Sequence, residues 1–519
     1  MANIKKKSLL KRIISWVLII LIIVAILATA GVFLIRNFMG NPTQEGKAND
    51  TTIVQTVNGK LQGRVNNGVY NFLGVEYAKA ERRFQEAKEV EAWDDVKTAF
   101  EYGAQSLQSV FLGDIGSLIT GATYNNNCQN MNIWTPEIHD NEKRPVMVWL
   151  HGGGFTSGSA NRYNGENLAR YQDVVVVGVN HRLNMMGYLD LSEYGEEYKN
   201  SANVGIDDII LSLEWIHENI EAFGGDPDNV TVFGQSGGGA KVLALMMAPK
   251  AKGLFHKAII QSGATETVGV KFTSKEASLA LTEKILEDLN ITQANIDDIQ
   301  NVSYDRLMDV GSATLSEIAE EYQIPGPFGG FGMEWEPVVD GEYIVDHPIT
   351  ADGSFANVSQ DIPLLIGSTL YEWAFMPSEQ VEATSEIREV FKAAYPNEDV
   401  RNAGKTDTLI RMPMLNIMTN KADQNGANVY SYLYTYEGAA HGAEIPYVFY
   451  NGDNEQMNIL MSSIWANFAR NGVPSAEGLP TWEAYTRENG ACMILDTESY
   501  LAHHHDKALL EILKPDYKY

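Results

Sequence analysis

Ser236 stands in the run Gly234-Gln235-Ser236-Gly237-Gly238-Gly239, between the apolar stretches 230–233 and 240–247. Where a strand turns sharply into a helix, the side chain at the corner is thrust outward. Glycine two positions before and two after then lets the flanking backbones close in. A hydroxyl held at such a corner attacks a carbonyl carbon once a base takes its proton. Among the serines of this chain, Ser236 alone satisfies that spacing.

A second run, His151-Gly152-Gly153-Gly154-Phe155, follows the apolar stretch 146–150. Three consecutive glycines let backbone amides turn toward one point, which is what a developing oxyanion requires. Gly153, Gly154 and Gly237 are therefore the candidate amide donors. A phosphate-binding loop would need a following Lys-Ser/Thr, which is missing. With acid and base following the serine in the order serine, acid, histidine, the base comes from His256, His347, His441 or the run 503–505. His441 has the best context, because it sits among small residues just after the predicted strand 428–436. The acid stays open on these grounds between Glu372, past the predicted strand 363–366, and Asp340.

These side chains need a scaffold. The runs 145–150, 174–179, 230–234, 257–261 and 363–366 are short, apolar and β-branched, as strands buried on both faces are. Between them, 206–223 carries Ile209, Leu213, Ile216 and Ile220 at helical spacing and stops at Gly224-Gly225-Asp226-Pro227. Such alternation predicts an α/β domain with a large, mostly parallel sheet flanked by helices. The acidic stretch 274–321 is helical by pattern and reads as an insertion over the sheet.

Composition limits the partners. Lys and Arg number 39 against 67 Asp and Glu, a formal charge of -28, so a nucleic-acid polyanion meets net repulsion. The two cysteines, Cys128 and Cys492, allow one bridge at most and form no close-spaced metal motif. Residues 13–35 run without a charge directly after Lys5, Lys6, Lys7, Lys11 and Arg12. As a helix, 23 residues span about 34 Å, which matches the hydrocarbon core of a bilayer. The expected organisation is a cytoplasmic basic segment (1–12), a transmembrane signal anchor (13–35), a polar linker (36–52) and a catalytic body (53–519) held outside the cytoplasm. The alternative is secretion after cleavage near Ala30, where Ala28-Thr29-Ala30 has the small-x-small pattern.

Read in order, these motifs resemble the type B carboxylesterases of the α/β-hydrolase fold, a family that includes bacterial para-nitrobenzyl esterases, cholinesterases and neuroligins. The resemblance runs from Gly59 to about Leu501. It rests on Phe72-Leu73-Gly74-Val75-Glu76-Tyr77-Ala78, Asn132-Ile133-Trp134-Thr135-Pro136, the glycine triplet, Asn180-His181-Arg182-Leu183 and Phe223-Gly224-Gly225-Asp226-Pro227. It continues through the Ser236 corner, Gln261-Ser262-Gly263, Pro337-Val338-Val339-Asp340-Gly341 and His441-Gly442-Ala443-Glu444-Ile445. The family places its acid five residues after the glycine of the preceding strand, here Gly367, which implies Glu372 and leaves Asp340 structural. Ser262 matches a serine that hydrogen-bonds this acid.

The resemblance implies hydrolysis of small-molecule esters through an acyl-enzyme, with Ser236, Glu372 and His441 catalytic and no metal or organic cofactor. The same fold also contains non-catalytic adhesion modules, which is the alternative; such relatives usually lack part of the triad. Three departures stand out. Gln235 and Gly237 replace the Glu and Ala found in many members, residues 106–127 contain no tryptophan for a quaternary ammonium, and Ser106 occupies the place of a cysteine that pairs with Cys128 in many relatives. Walls of the substrate pocket are expected from 107–127 and 324–336, with Phe328, Phe331, Met333 and Trp335 as an apolar lining.

Overall fold

The computed structural model describes residues 46–108, 122–326 and 330–517. The basic segment 1–12, the span 13–35, most of the linker, much of the 107–127 wall and Phe328 lie outside the described residues. Within them, no helix is long and apolar enough to cross a membrane. The first ordered turn is Asp50–Thr52, followed at once by the short strand Ile53–Gln55.

Among the described residues an eleven-stranded sheet organises the chain. Its strands are β1 (Arg64–Asn66), β2 (Val69–Glu76), β3 (Asn130–Thr135), β4 (Arg144–Leu150), β5 (Val175–Val179), β6 (Gly225–Gln235), β7 (Lys257–Gln261), β8 (Leu364–Thr369), β9 (Val429–Tyr434), β10 (Ala491–Leu495) and β11 (Tyr500–His503). They lie side by side as β11-β10-β9-β8-β7-β6-β4-β5-β3-β2-β1. The pairs from β5 to β10 are parallel, and the strands at both edges are antiparallel.

Each central strand alternates between two cores. Val146, Val148 and Leu150 of β4 enter one, while Met147 and Trp149 enter the other. Both faces are therefore dry, which is why the sequence shows continuous apolar runs instead of polar alternation. The first face is covered by α1 (Val204–Asn219), α2 (Gly237–Met246), α3 (Lys275–Asp288), α4 (Tyr304–Glu321) and α5 (Arg411–Asp423). The second is covered by α6 (Glu455–Asn471), whose Trp465 packs edge-on to Tyr432 of β9. Helices α3 and α4 are the predicted insertion, joined by the turn Gln293–Asn301.

Among the boundaries that differ from the sequence reading, two have visible reasons. Strand β6 begins at Gly225 instead of residue 230, because Gly225 pairs with Arg144 beyond a register shift. Strand β8 continues past Gly367, because Ser368 and Thr369 pair with Leu433 and Tyr434 of β9. Beside the first core, the wholly buried Arg182 grips both carboxylate oxygens of Asp208 on α1, at 2.7 and 2.9 Å. Breaking such a pair strands a charge in the interior and costs about 3–5 kcal/mol.

Candidate active site

At the carboxyl end of β6 the chain turns into α2 through Ser236, whose φ of 57° and ψ of -129° are rare for a residue with a side chain. The Ser236 amide donates to the Gln261 carbonyl at the end of β7, 2.8 Å away, which fixes the corner to the neighbouring strand. A Cβ on Gly238 would come within 2.0 Å of the Leu150 oxygen, and one on Gly234 within 2.4 Å of the Gly238 carbon. The corner exists because glycine stands at both positions.

Glu372 lies three residues beyond β8 and is fully buried. His441 lies in the loop after β9, and its amide donates to the Glu372 carbonyl at 3.0 Å. The side chains meet as well. His441 Nδ1 is 2.5 Å from Glu372 Oε2, while Oε1 accepts from Ser262 Oγ at 2.6 Å and the Thr369 amide at 2.7 Å. With Nδ1 carrying its proton toward the carboxylate, Nε2 is the acceptor, and Gln235 Nε2 donates to it at 3.2 Å. Trp373 stacks on the imidazole with ring centres 4.4 Å apart.

Burial alone would lower the pKa of His441. The Glu372 carboxylate, with Glu444 and Asp407 behind it, outweighs that and raises it above the ordinary value. Burial and the charge of Glu372 push Glu444 and Asp407 each up to about 7. Glu444 accepts from Gln261 at 3.0 Å, whereas Asp407 takes the amides of Leu409, Ile410 and Arg411 at the start of α5.

The glycine triplet closes the other side. Gly153 and Gly154 have φ of +100° and +60°, and the Gly153 carbonyl turns back to accept from the Ser157 amide at 3.0 Å. Among the described residues, the amides of Gly153 and Gly154 have no acceptor. A Cβ on Gly237 would lie 2.4 Å from the Gly154 nitrogen, so the three predicted donors share one corner.

The structure thus brings Ser236, Gln235, Ser262, Glu372, His441, Gly153, Gly154 and Gly237 together. The rejected candidates have other tasks. Asp340 takes the amides of Glu342, Tyr343 and Ile344 and the side chain of Asn203. His256 accepts from the Val230 amide and His347 from that of Phe272. His503 contacts Glu483, and His504 contacts the Glu488 carbonyl. Cys128 and Cys492 are both buried as free thiols.

A cavity of about 440 Å³ is lined by Val268, Phe272, Met333, Glu334 and Glu336 among others. Of the expected lining, Met333 faces this cavity, whereas Trp335 is buried against Gly311 of α4, and the carboxylates of Glu334 and Glu336 join the apolar side chains there. The Glu334 carboxylate reaches the loop itself, 3.6 Å from where a Gly154 Cβ would sit. Burial raises both acids above the ordinary carboxylate range.

The profile of the carboxylesterase family matches residues 50–406 and 397–511. The chain belongs to the carboxylesterase family. It is 33% identical over 486 residues to the para-nitrobenzyl esterase of Bacillus subtilis (strain 168), covering 86% of this chain and 95% of that one. To the phenmedipham hydrolase of Pseudarthrobacter oxydans it is 29% identical over 496 residues, covering 86% and 95%. The solved structure of a Clostridium hathewayi esterase, described as hydrolysing aliphatic aromatic polyesters, superposes with a TM-score of 0.80 at 34% identity, covering 91% of this chain and 99% of that one. This chain is a carboxylesterase of the α/β-hydrolase fold, an enzyme acting on carboxylic esters.

Within this carboxylesterase, four side chains at the site escaped the sequence reading. Trp373 could have been noticed only as the neighbour of Glu372. Glu444 stood only as a member of the His441 motif with no role, and Asp407 and Lys241 gave no signal, because nothing local tells a buried charge from a surface one.

Proposed function

We propose that the enzyme is a serine esterase working through an acyl-enzyme. His441 Nε2 takes the proton of Ser236 as Oγ bonds to the ester carbonyl carbon. The carbonyl oxygen becomes an anion facing the amides of Gly153, Gly154 and Gly237. The ester C–O bond then breaks, and the imidazolium returns the proton to the departing alcohol. Water, deprotonated by the same nitrogen, attacks the acyl-Ser236 carbonyl, and the carboxylic acid leaves with Ser236 restored. Glu372 orients the imidazole and stabilises its cation, with Ser262 and Thr369 holding the carboxylate.

The observation that carries this reading is the unbroken chain from Ser262 through Glu372 and His441 to Gln235, the residue just before a strained serine. The test is hydrolysis of para-nitrophenyl esters of increasing acyl length by the full chain in detergent, beside Ser236→Ala. A loss on the order of 10⁴-fold is expected. Retained turnover in the variant would remove Ser236 from the mechanism.

The same proposal places the catalytic body outside the cytoplasm on a membrane anchor at 13–35. The uncharged run and the lysines before it support this. Fractionation of cells making the full chain tests it: recovery in the membrane pellet with the body open to external protease is expected. Release of a form beginning near residue 31 would instead establish the secreted alternative.

A further inference from the structure

Lys241 is a buried charge that this mechanism leaves unused. It lies on α2, five positions past Ser236, with no exposed surface. Its Nζ donates to the His151 carbonyl at 3.1 Å and to the Gly154 carbonyl at 2.5 Å, and stands 5.1 Å from the centre of the Phe155 ring. Among the described residues no carboxylate comes within ion-pair distance of it. A lone ammonium is costly to bury, so carbonyl oxygens and a ring face are modest compensation.

The two carbonyls show what the ammonium holds. That of His151 belongs to the peptide entering Gly152, and that of Gly154 to the peptide leaving toward Phe155. One cation therefore grips both ends of a segment whose glycines have no side chains to fix it. With these oxygens drawn toward α2 and the Gly153 oxygen taken by Ser157, the amides of Gly153 and Gly154 are left without an acceptor among the described residues.

We infer that Lys241 is a positioning residue for ester hydrolysis, clamping the glycine triplet from beneath and setting a positive charge behind the developing oxyanion. This rests on the proposed reaction at Ser236. The charges around it agree. From β4 comes His151 and from the end of β5 His181, stacked at 5.1 Å. Burial, then the charge of Lys241, drives both imidazoles below their ordinary range, so they are neutral under working conditions. Arg162 adds a further cation facing His151. Glu372, Glu444 and Asp407 gather instead around His441. Negative charge thus stands behind the base and Lys241 beneath the triplet, while the Glu334 carboxylate, its pKa raised by burial, approaches Gly154 from the cavity side.

The test compares Lys241→Met and Lys241→Arg with Ser236→Ala, all in the full chain in detergent, after circular dichroism and melting show each folded. Lys241→Met should lower kcat by about 10²-fold, leave KM within about twofold and weaken a trifluoromethyl ketone inhibitor in parallel. Lys241→Arg should recover most of both losses. Burial lowers Lys241 to about 7, so the kcat of the parent should fall on an alkaline limb that Lys241→Met lacks. Parent-like kcat, ketone affinity and alkaline limb in Lys241→Met, with Ser236→Ala inactive, overturn the role of Lys241 alone. Activity surviving in Ser236→Ala overturns the reaction centre instead. Should Lys241→Met not fold, Lys241→Gln takes its place in the same comparison: parent-like kcat and ketone affinity in that neutral variant contradict the charge role.

Discussion

Gln235 donates its amide to Nε2 of His441 across 3.2 Å, so the nitrogen that receives the Ser236 proton in the proposed mechanism is engaged by the residue just before that serine. Among the described residues the Ser236 hydroxyl itself has no hydrogen-bond partner. Catalysis therefore requires a side-chain exchange in which Ser236 replaces Gln235 on the imidazole. Such tightening on substrate binding is common at hydrolytic sites.

Gln235→Glu tests this contact. A carboxylate in place of the amide accepts from an imidazolium, adds to the charges already raising His441, and favours its protonated form. The acid limb of kcat/KM is expected to move to higher pH, by on the order of one pH unit. Esters with a quaternary ammonium should also gain relative to neutral ones. An unmoved limb measured from pH 5 to 9 would show that Gln235 does not face the working imidazole.

For the parent, His441 must be neutral to act as base. Its raised pKa places the rise in activity above the ordinary imidazole range, with activity lost as pH falls through it. Glu372→Gln removes the largest raising charge, so the limb should shift to lower pH while kcat drops by on the order of 10⁴-fold. Ser262→Ala keeps the carboxylate but deletes its 2.6 Å hydrogen bond, and a loss of roughly tenfold is expected. Steady-state pH profiles of the three proteins check both; an unshifted limb in Glu372→Gln would contradict the assignment.

Gly237 separates this chain from relatives with alanine there. A Cβ would lie 2.3 Å from the Gly154 oxygen and 2.4 Å from its nitrogen, so the triplet must shift to admit it. Gly237→Ala should reduce kcat by about 10²-fold through the displaced donors and lower the melting temperature, because the atoms it meets are backbone. Full activity would mean that the triplet moves freely.

Glu444 provides a stability readout separate from rate. Its pKa is about 7 in the folded protein, against roughly 4.3 for an unperturbed Glu. The folded state thus binds the proton more tightly than the unfolded one. The resulting stabilisation is complete below the unfolded value and disappears as pH rises through about 7. Glu444→Gln, which cannot ionise, should gain on the parent by roughly 1–3 kcal/mol between pH 5 and pH 8. Thermal melts at the two pH values measure this, and a constant difference would contradict the buried charge.

The sequence by itself determined the parallel α/β architecture, the Ser236 corner, the glycine triplet and the choice of His441. Each depends on local chemistry: apolar runs that must be buried on both faces, and glycines where backbones touch. Resemblance was needed to choose Glu372 over Asp340, because both are carboxylates near a strand end. Only the tertiary structure decided what faces what. It set Gln235 on the imidazole, Trp373 over its ring, Glu444 and Asp407 behind it, and Lys241 beneath the triplet. It also put Trp335 in the core while Glu334 and Glu336 line the cavity. Even where these residues are neighbours in the chain, their charges acquire their meaning from what they are buried beside, which no local pattern encodes.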